Sequence, residues 1–382
     1  MILSELISPI KKYTFLSDFY EKKVCYIERK NSMFYQDLFT VKDLDELLNL
    51  NILSYPDTRI ANAIQEIDKS SYVTGDLINP IKFVNEFLTG STMVFSQLQR
   101  KSAKLGKFAD LLSKDIHHKI QTNIYYTPAN SQGFKVHYDT HDVFVLQIEG
   151  TKEWKIYNEV VKLAMLSEHY NSKLHNIGEE QMSLTLKPGD LLYIPRGIAH
   201  KAVSTDVNSL HITTGVIPKT WLDLVANLLL KLSIENPELR QTLPLCFGDI
   251  VFDGSEKAIE ILKQNLTANN LNSIRKELYY DFLSSQRVSY PKLISNINQL
   301  QELKISSMLK KGRNVPYHIS KSTIYINSVK LEFPDFVEEY LHFIEGNDKF
   351  TISDMPDGMD DEGKITFAKK MISSGLLKIE TI

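Results

Sequence analysis

The stretch from about residue 91 to 217 constrains the fold more than any other part of the chain. It is a succession of short β-prone runs, at 91–95, 122–126, 142–148, 154–157, 183–186, 190–194 and 210–216. Turn residues separate them at Pro128, Gly133, Gly150, Pro188-Gly189 and Gly197. Many short strands with this punctuation predict a β-sandwich or barrel, interrupted early by a helix from Leu98 to about Ile116.

The flanks read differently. Residues 1 to about 90 mix helical and strand-like pieces: a short apolar strand at 24–27 and helical spacing in Leu38, Val41, Leu44, Leu47 and Leu48. After Pro218 a broad apolar stripe, Trp221, Leu222, Leu224, Val225, Leu228, Leu229 and Leu232, predicts a helix, and further helices are expected at about 256–268 and 271–284. The last sixty or so residues read as a small module with helices at 335–345 and 361–374, a stop at Gly375 and a strand at 376–379. That order suggests a winged helix. The length, 382 residues, suits two or three domains.

Composition excludes several classes. Hydrophobic residues at 43% and charged residues at 24% rule out a wholly disordered, collagenous or coiled-coil chain. A net charge of −3 argues against blanket attraction to nucleic acid or anionic membrane. Two cysteines, Cys25 and Cys246, cannot build a disulfide framework or a four-thiolate zinc site, and their scarcity fits a reducing compartment. The N-terminus lacks the apolar core and cleavage site of a signal peptide. No apolar run approaches the ~20 residues that span a bilayer. The expectation is a soluble cytoplasmic protein without a membrane partner.

The chemistry concentrates at Val136-His137-Tyr138-Asp139. On a strand, residues two apart share a face, which brings an imidazole and a carboxylate together. Ile198-Ala199-His200 offers a third ligand after the turn Pro195-Arg196-Gly197. Two histidines and one carboxylate form the facial triad of non-haem Fe(II) oxygenases, which leaves coordination positions open. A lone His-x-Asp is a weak motif and reads equally as a solvated polar pair. Its setting, a β-rich block with Pro188-Gly189-Asp190 opening the strand before His200, suits a cupin or double-stranded β-helix metal site.

Longer runs carry a resemblance. Asn123-Ile124-Tyr125-Tyr126-Thr127-Pro128-Ala129-Asn130-Ser131-Gln132-Gly133-Phe134 with His137-Tyr138-Asp139 resembles the JmjC-type 2-oxoglutarate oxygenases of the ribosomal oxygenase branch. So do the run from Phe144 to Tyr157 and the run from Pro188 to His200. The motifs lie within 123–200, and the order of regions extends the likeness over nearly the whole chain. The resemblance implies an α+β chain. Its parts are a JmjC/cupin catalytic domain with an N-terminal extension (1–217), a helical dimerisation region (218–310) and a C-terminal winged-helix domain (311–382). It implies Fe(II) held by His137, Asp139 and His200, and 2-oxoglutarate held by Lys152 at its distal carboxylate, with Asn123 directed into the same pocket. Taken alone, Lys152 reads as a solvated turn lysine and Asn123 as a polar residue on a half-exposed strand.

Two departures stand out. Some members have arginine at the position of Lys152, and the place of a serine that helps hold 2-oxoglutarate in some members falls near Gly215, where Thr213 or Thr214 can substitute. His141, four residues beyond His137, is expected about 13 Å along the strand as a pocket or surface residue, and His211 as a core or supporting histidine. Tyr138, Gln132 and Arg196 are offered as substrate contacts at the mouth.

The implied activity is hydroxylation of a protein side chain, a ribosomal-protein residue, coupled to conversion of 2-oxoglutarate to succinate and carbon dioxide by a homodimer. The alternatives are hydroxylation of a ribosomally made peptide or small molecule, a zinc cupin isomerase, and a non-enzymatic regulator whose winged helix binds DNA. Charge disfavours the regulator: residues 321–382 hold 7 Lys and no Arg against 12 Asp+Glu, a net −5. A helix that approaches phosphates needs the opposite sign.

Overall fold

The computed structural model describes residues 1–380 except 51, 244–254, 286–296, 313–314, 316 and 327–328, so Cys246 lies outside the described residues. The chain divides into two compact units, Met1–Pro218 and Lys219–Ile382.

The first unit contains helices α1 (Leu3–Leu6), α2 (Lys12–Asp18), α3 (Val41–Leu50), α4 (Pro80–Leu88) and α5 (Ala103–Ile116). Its strands are β1 (Cys25–Ile27), β2 (Thr58–Ala61), β3 (Val73–Thr74), β4 (Leu77–Ile78), β5 (Thr92–Phe95), β6 (Lys119–Thr127), β7 (Asp142–Glu149), β8 (Lys152–Glu159), β9 (Glu180–Leu186), β10 (Leu191–Ile194), β11 (Ile198–Ser204) and β12 (Ser209–Ile217). A seven-stranded sheet runs β1-β10-β7-β12-β6-β5-β2, and a three-stranded sheet runs β11-β8-β9. The pairings within both are antiparallel.

The large sheet is covered on both faces, which explains why Asp142 to Ile148 is buried at every position rather than at alternate ones. Phe144, Leu146 and Ile148 join the N-terminal helices in one core with Phe15, Phe83 and Phe108. Val143 and Val145 point the other way and pack with Trp154, Ile156, Leu186 and Ile194, where the small sheet closes over the large one. Fully burying one such side chain stabilises the fold by roughly 1.5–3 kcal/mol. The result is the expected two-layer β core with a helical extension on its outer face.

The second unit opens with α6 (Trp221–Glu235), α7 (Glu256–Asn265), α8 (Ala268–Ser285) and α9 (Ile297–Gln301). A capping box starts α6: the Asp223 N–H donates to Thr220 Oγ1 and the Thr220 N–H to Asp223 Oδ2. The apolar stripe read after Pro218 splits in two. Leu224, Leu228 and Leu232 are buried with Ile274 of α8, whereas Trp221, Leu222 and Leu229 are 40–80% exposed, as are Leu230 and Ile234 outside that stripe. Beyond α9 come β13 (Met308–Lys311), β14 (Tyr317–Ser320), β15 (Thr323–Ile326), β16 (Val329–Glu332), α10 (Glu338–Gly346), β17 (Lys349–Thr351), α11 (Asp361–Ser373) and β18 (Leu377–Ile379). They form the sheets β17-β13-β18 and β14-β15-β16 around a second apolar cluster that includes Leu309, Leu341, Ile344 and Met371. The meander β14-β15-β16 was not anticipated, although Thr323-Ile324-Tyr325-Ile326 alternates as a strand should. Among the described residues no helix is long and apolar enough to cross a membrane.

Candidate metal centre

His137 and Asp139 do not lie on a ladder strand, contrary to the expectation from sequence. They sit on an irregular segment between β6 and β7. A single bridge holds it: the His137 N–H donates to the His200 carbonyl (3.1 Å) and the His200 N–H returns to the His137 carbonyl (2.8 Å). The Gly197 N–H adds a bond to the Asp139 carbonyl at 2.9 Å. On its other edge β11 pairs with β8, with a register shift between Ile198 and His200.

The outcome is nonetheless convergence. Ligand atoms of His137, Asp139 and His200 all lie within 4.8 Å of one another, with His200 Nε2 at 3.6 Å from Asp139 Oδ2. The two rings are oriented by their own backbone: His137 Nδ1 is 2.8 Å from the Lys135 carbonyl and His200 Nδ1 is 3.1 Å from the Ile198 carbonyl. A carbonyl only accepts, so each Nδ1 carries a proton and Nε2 is the atom left to face a metal. Burial, reinforced by the His137 imidazole against the opposing pull of Asp139, pushes His200 down to about 4, so it is a neutral ligand at physiological pH. Burial works to raise Asp139, and the surrounding imidazoles of His200, His137 and His141 override it, holding the carboxyl below its ordinary value. A neutral imidazole at His200 and an ionised carboxylate at Asp139 are the forms that bind a divalent cation.

The cluster opens onto a cavity of about 240 Å³ between the two sheets, walled by Val143, Val145, Trp154, Ala202, His211 and Thr213 among others. Lys152 lies in its wall and is only 4% exposed. Its ammonium donates to Thr127 Oγ1 at 2.8 Å and has no carboxylate partner among the described residues. Burial alone pulls it down to about 7. An unpaired buried ammonium is costly, and an anionic ligand entering the cavity removes that cost. Among the described residues, His211 Nδ1 and Trp154 Nε1 are likewise buried without a hydrogen-bond partner in the same wall. The donor set suits Fe(II) and the lysine suits a dicarboxylate, so the residues present fit both groups.

Other sequence candidates fall differently. Asn123 pairs with Thr213 across β6 and β12 and shares the face of Tyr125, but it is not a wall of the cavity. Its side-chain carbonyl accepts from the Gln97 N–H (2.9 Å) and from Gln121 Nε2 (3.2 Å). Strand parity separates the two threonines: Thr213 lines the cavity, and Thr214 points to the opposite face, where its buried hydroxyl finds no partner. His141 is not on a strand but just before β7. Its ring rests on Gly215, where a Cβ would come within 2.5 Å of Nε2, so the imidazole occupies the space a serine at that position would need. His211 is buried and stacks on Tyr125, with ring centroids 4.9 Å apart.

Two offered mouth contacts are corrected. Tyr138 is 3% exposed and donates to the Glu168 carbonyl. Arg196 is buried and bonded to Asp142 (3.0 Å) and Glu21 (2.6 Å), tying the turn before β11 to the start of β7. Gln132 donates its amide to the Phe134 carbonyl. Sequence reasoning missed Arg59, Tyr125, Phe134 and Trp154 as cavity walls. For Tyr125 and Trp154 the signal was present, since each lies two residues from an already identified strand position.

A family model described as a JmjC domain matches residues 95–224. A "Bifunctional lysine-specific demethylase and histidyl-hydroxylase NO66" of Dictyostelium discoideum is 34% identical over 262 residues, 64% of this chain and 49% of that protein. "Ribosomal oxygenase 2" of Mus musculus is 33% identical over 250 residues, 63% of this chain and 53% of that protein. The chain spans about half the length of these curated relatives. Among solved structures, YcfD of Escherichia coli, described as a ribosomal oxygenase in complex with cobalt and 2-oxoglutarate, matches 98% of this chain and 99% of its own. The TM-score is 0.54 at 14% identity, a likeness of fold. Residues 95–224 therefore match a JmjC domain, and about two thirds of the chain is similar to proteins named ribosomal oxygenases.

Proposed function

We propose that this protein is an Fe(II)- and 2-oxoglutarate-dependent hydroxylase of a protein side chain, a ribosomal-protein residue, which releases succinate and carbon dioxide. One observation carries the reading. A two-histidine, one-carboxylate cluster opens onto a cavity whose wall holds a buried ammonium without a counter-ion among the described residues.

His137, Asp139 and His200 would hold the metal, and Lys152 would pair with the distal carboxylate of the co-substrate. When bound, the iron and 2-oxoglutarate together supply the oxidising power. The protein's own residues do the rest. The Lys135 and Ile198 carbonyls fix the two imidazoles, and Val143, Val145 and Trp154 keep water from the reacting atoms. Thr127 holds the Lys152 ammonium in place before the anion arrives. The relatives' names support a ribosomal-protein target. We further propose that the exposed apolar side of α6 dimerises two copies, that the segment from 311 is a winged helix serving as a scaffold, and that the protein works in the cytoplasm.

The test is succinate release from 2-oxoglutarate with Fe(II) under air, with mass spectrometry of ribosomal proteins for an added oxygen. His137→Ala or Asp139→Ala is expected to abolish both, and to abolish the rise in melting temperature that divalent metal gives the unmodified protein. Turnover that persists in those variants sinks the assignment. Activity with zinc and no oxygen consumption would favour an isomerase instead.

A further inference from the structure

Away from the metal centre, the second unit carries an open groove of about 480 Å³ with an apolar floor made by Phe333, Val337, Met359 and Phe367. Asp360 and Glu362 stand on its rim at the start of α11. The surrounding segment is strongly one-sided. Residues 335–362 hold ten Asp+Glu and a single basic residue, Lys349.

Part of this charge has an internal explanation. Asp360 caps α11 through the Gly363 N–H at 2.9 Å, and carboxylates are favoured at helix N-termini. Asp348 pairs with Lys311, and Asp357 lies 3.9 Å from Lys364. Glu339, Asp361 and Glu362, however, make no ion pair among the described residues. Helix ends account for tolerated acid, but not for the half-buried Phe333 and Met359 that the groove leaves open beside it. The cation in the groove wall, Lys370, lies with its ammonium 4.8 Å from the centroid of the Phe333 ring. A positive charge over this ring is therefore compatible with the groove as built.

We propose that this groove docks a basic polypeptide segment, one that places an apolar or aromatic side chain on the Phe333–Phe367 floor and its Lys or Arg side chains toward Asp360, Asp361 and Glu362. Apolar contact supplies affinity and the acidic rim selects sign and speeds encounter. The same field repels phosphate backbones, so the groove is suited to a basic protein segment rather than to DNA. The groove lies outside the oxygenase site and needs neither metal nor co-substrate.

The experiment uses the full chain without added metal. A short fluorescein-labelled peptide of lysines around one phenylalanine is titrated with protein and followed by fluorescence anisotropy. Saturable binding that weakens with added salt is expected. Replacing the peptide's phenylalanine by serine, or its lysines by glutamates, should weaken binding by about tenfold or more. Thr366→Trp, which fills the groove from an exposed position of α11, and Glu362→Lys, which reverses the rim, should each do the same without lowering the melting temperature. No saturable binding, equal affinity for the glutamate peptide, or indifference to both substitutions overturns the proposal. So does duplex DNA that displaces the peptide in a manner sensitive to Thr366→Trp. Because no turnover is read, failure here leaves the oxygenase reading standing, and failure there leaves this one standing.

Discussion

Lys152 illustrates what burial does to a single residue. Its side chain enters the cavity from the first position of β8, where among the described residues a threonine hydroxyl receives its ammonium. Burial lowers its proton affinity to about 7, against roughly 10.4 in an unfolded chain. Between those values the unfolded chain binds more protons, so this group makes the free protein more stable as pH rises through that window. Binding of a dicarboxylate has the opposite sign. It requires the ammonium, so the dissociation constant of 2-oxoglutarate should weaken as pH rises from about 7 to 9, with proton uptake visible by calorimetry in buffers of differing ionisation enthalpy. Lys152→Met should weaken the co-substrate by about a hundredfold while leaving metal affinity intact, as expected for one partner of a buried charge pair. A pH-independent constant, or metal lost together with the co-substrate, would count against the role.

At the scale of elements, the metal centre depends on turns more than on strands. His200 is placed by the turn between β10 and β11, and Gly197 in that turn has φ +84°, with a Cβ position 1.7 Å from the Val161 carbonyl oxygen. Any side chain there must push the 158–164 segment away and strain the backbone. Gly197→Ala is expected to cost at least about 1–3 kcal/mol in unfolding free energy. It should also weaken metal binding, because the Gly197 N–H anchors Asp139. Denaturant melts and metal titration measure the two effects, and unchanged metal affinity would show that the anchor is dispensable. Arg196 reads on sequence as a free cation at the mouth, and burial beside Asp142 and Glu21 makes it a brace for this turn instead. Sequence carries no sign of that, since Glu21 and Asp142 are 121 residues apart.

Over the whole molecule, the near-neutral charge is a sum of unlike parts. Residues 321–382 carry −5, which leaves +2 for residues 1–320. The acidity is concentrated around the groove beside α11. The apolar excess lies elsewhere, on the side of α6 that exposes Leu222 at 62% and Leu230 at 64%. A helix that is apolar beyond its buried stripe has a second surface to cover. If two copies meet there, Leu222→Glu with Leu230→Glu should halve the mass seen by light scattering at micromolar concentration, without altering the circular dichroism of the fold. A monomer in the unmodified protein would overturn the dimer.

What could be read in advance was whatever local pattern dictates. Short β-prone runs between Gly and Pro turns specify an antiparallel two-layer core, because turn chemistry and side-chain alternation act over a few residues. The residue types needed for a metal were legible for the same reason, as His137, Asp139 and His200 stand out by type and setting. Tertiary structure alone decided that the His137–Asp139 segment is held by one bridge rather than a ladder, and that His141 fills the space over Gly215. It also decided that Thr213 rather than Thr214 faces the cavity, and that Arg59 reaches its rim. These depend on register and on which distant strand lies opposite, and such pairings are settled by packing of the entire core, not by the residues nearby in sequence.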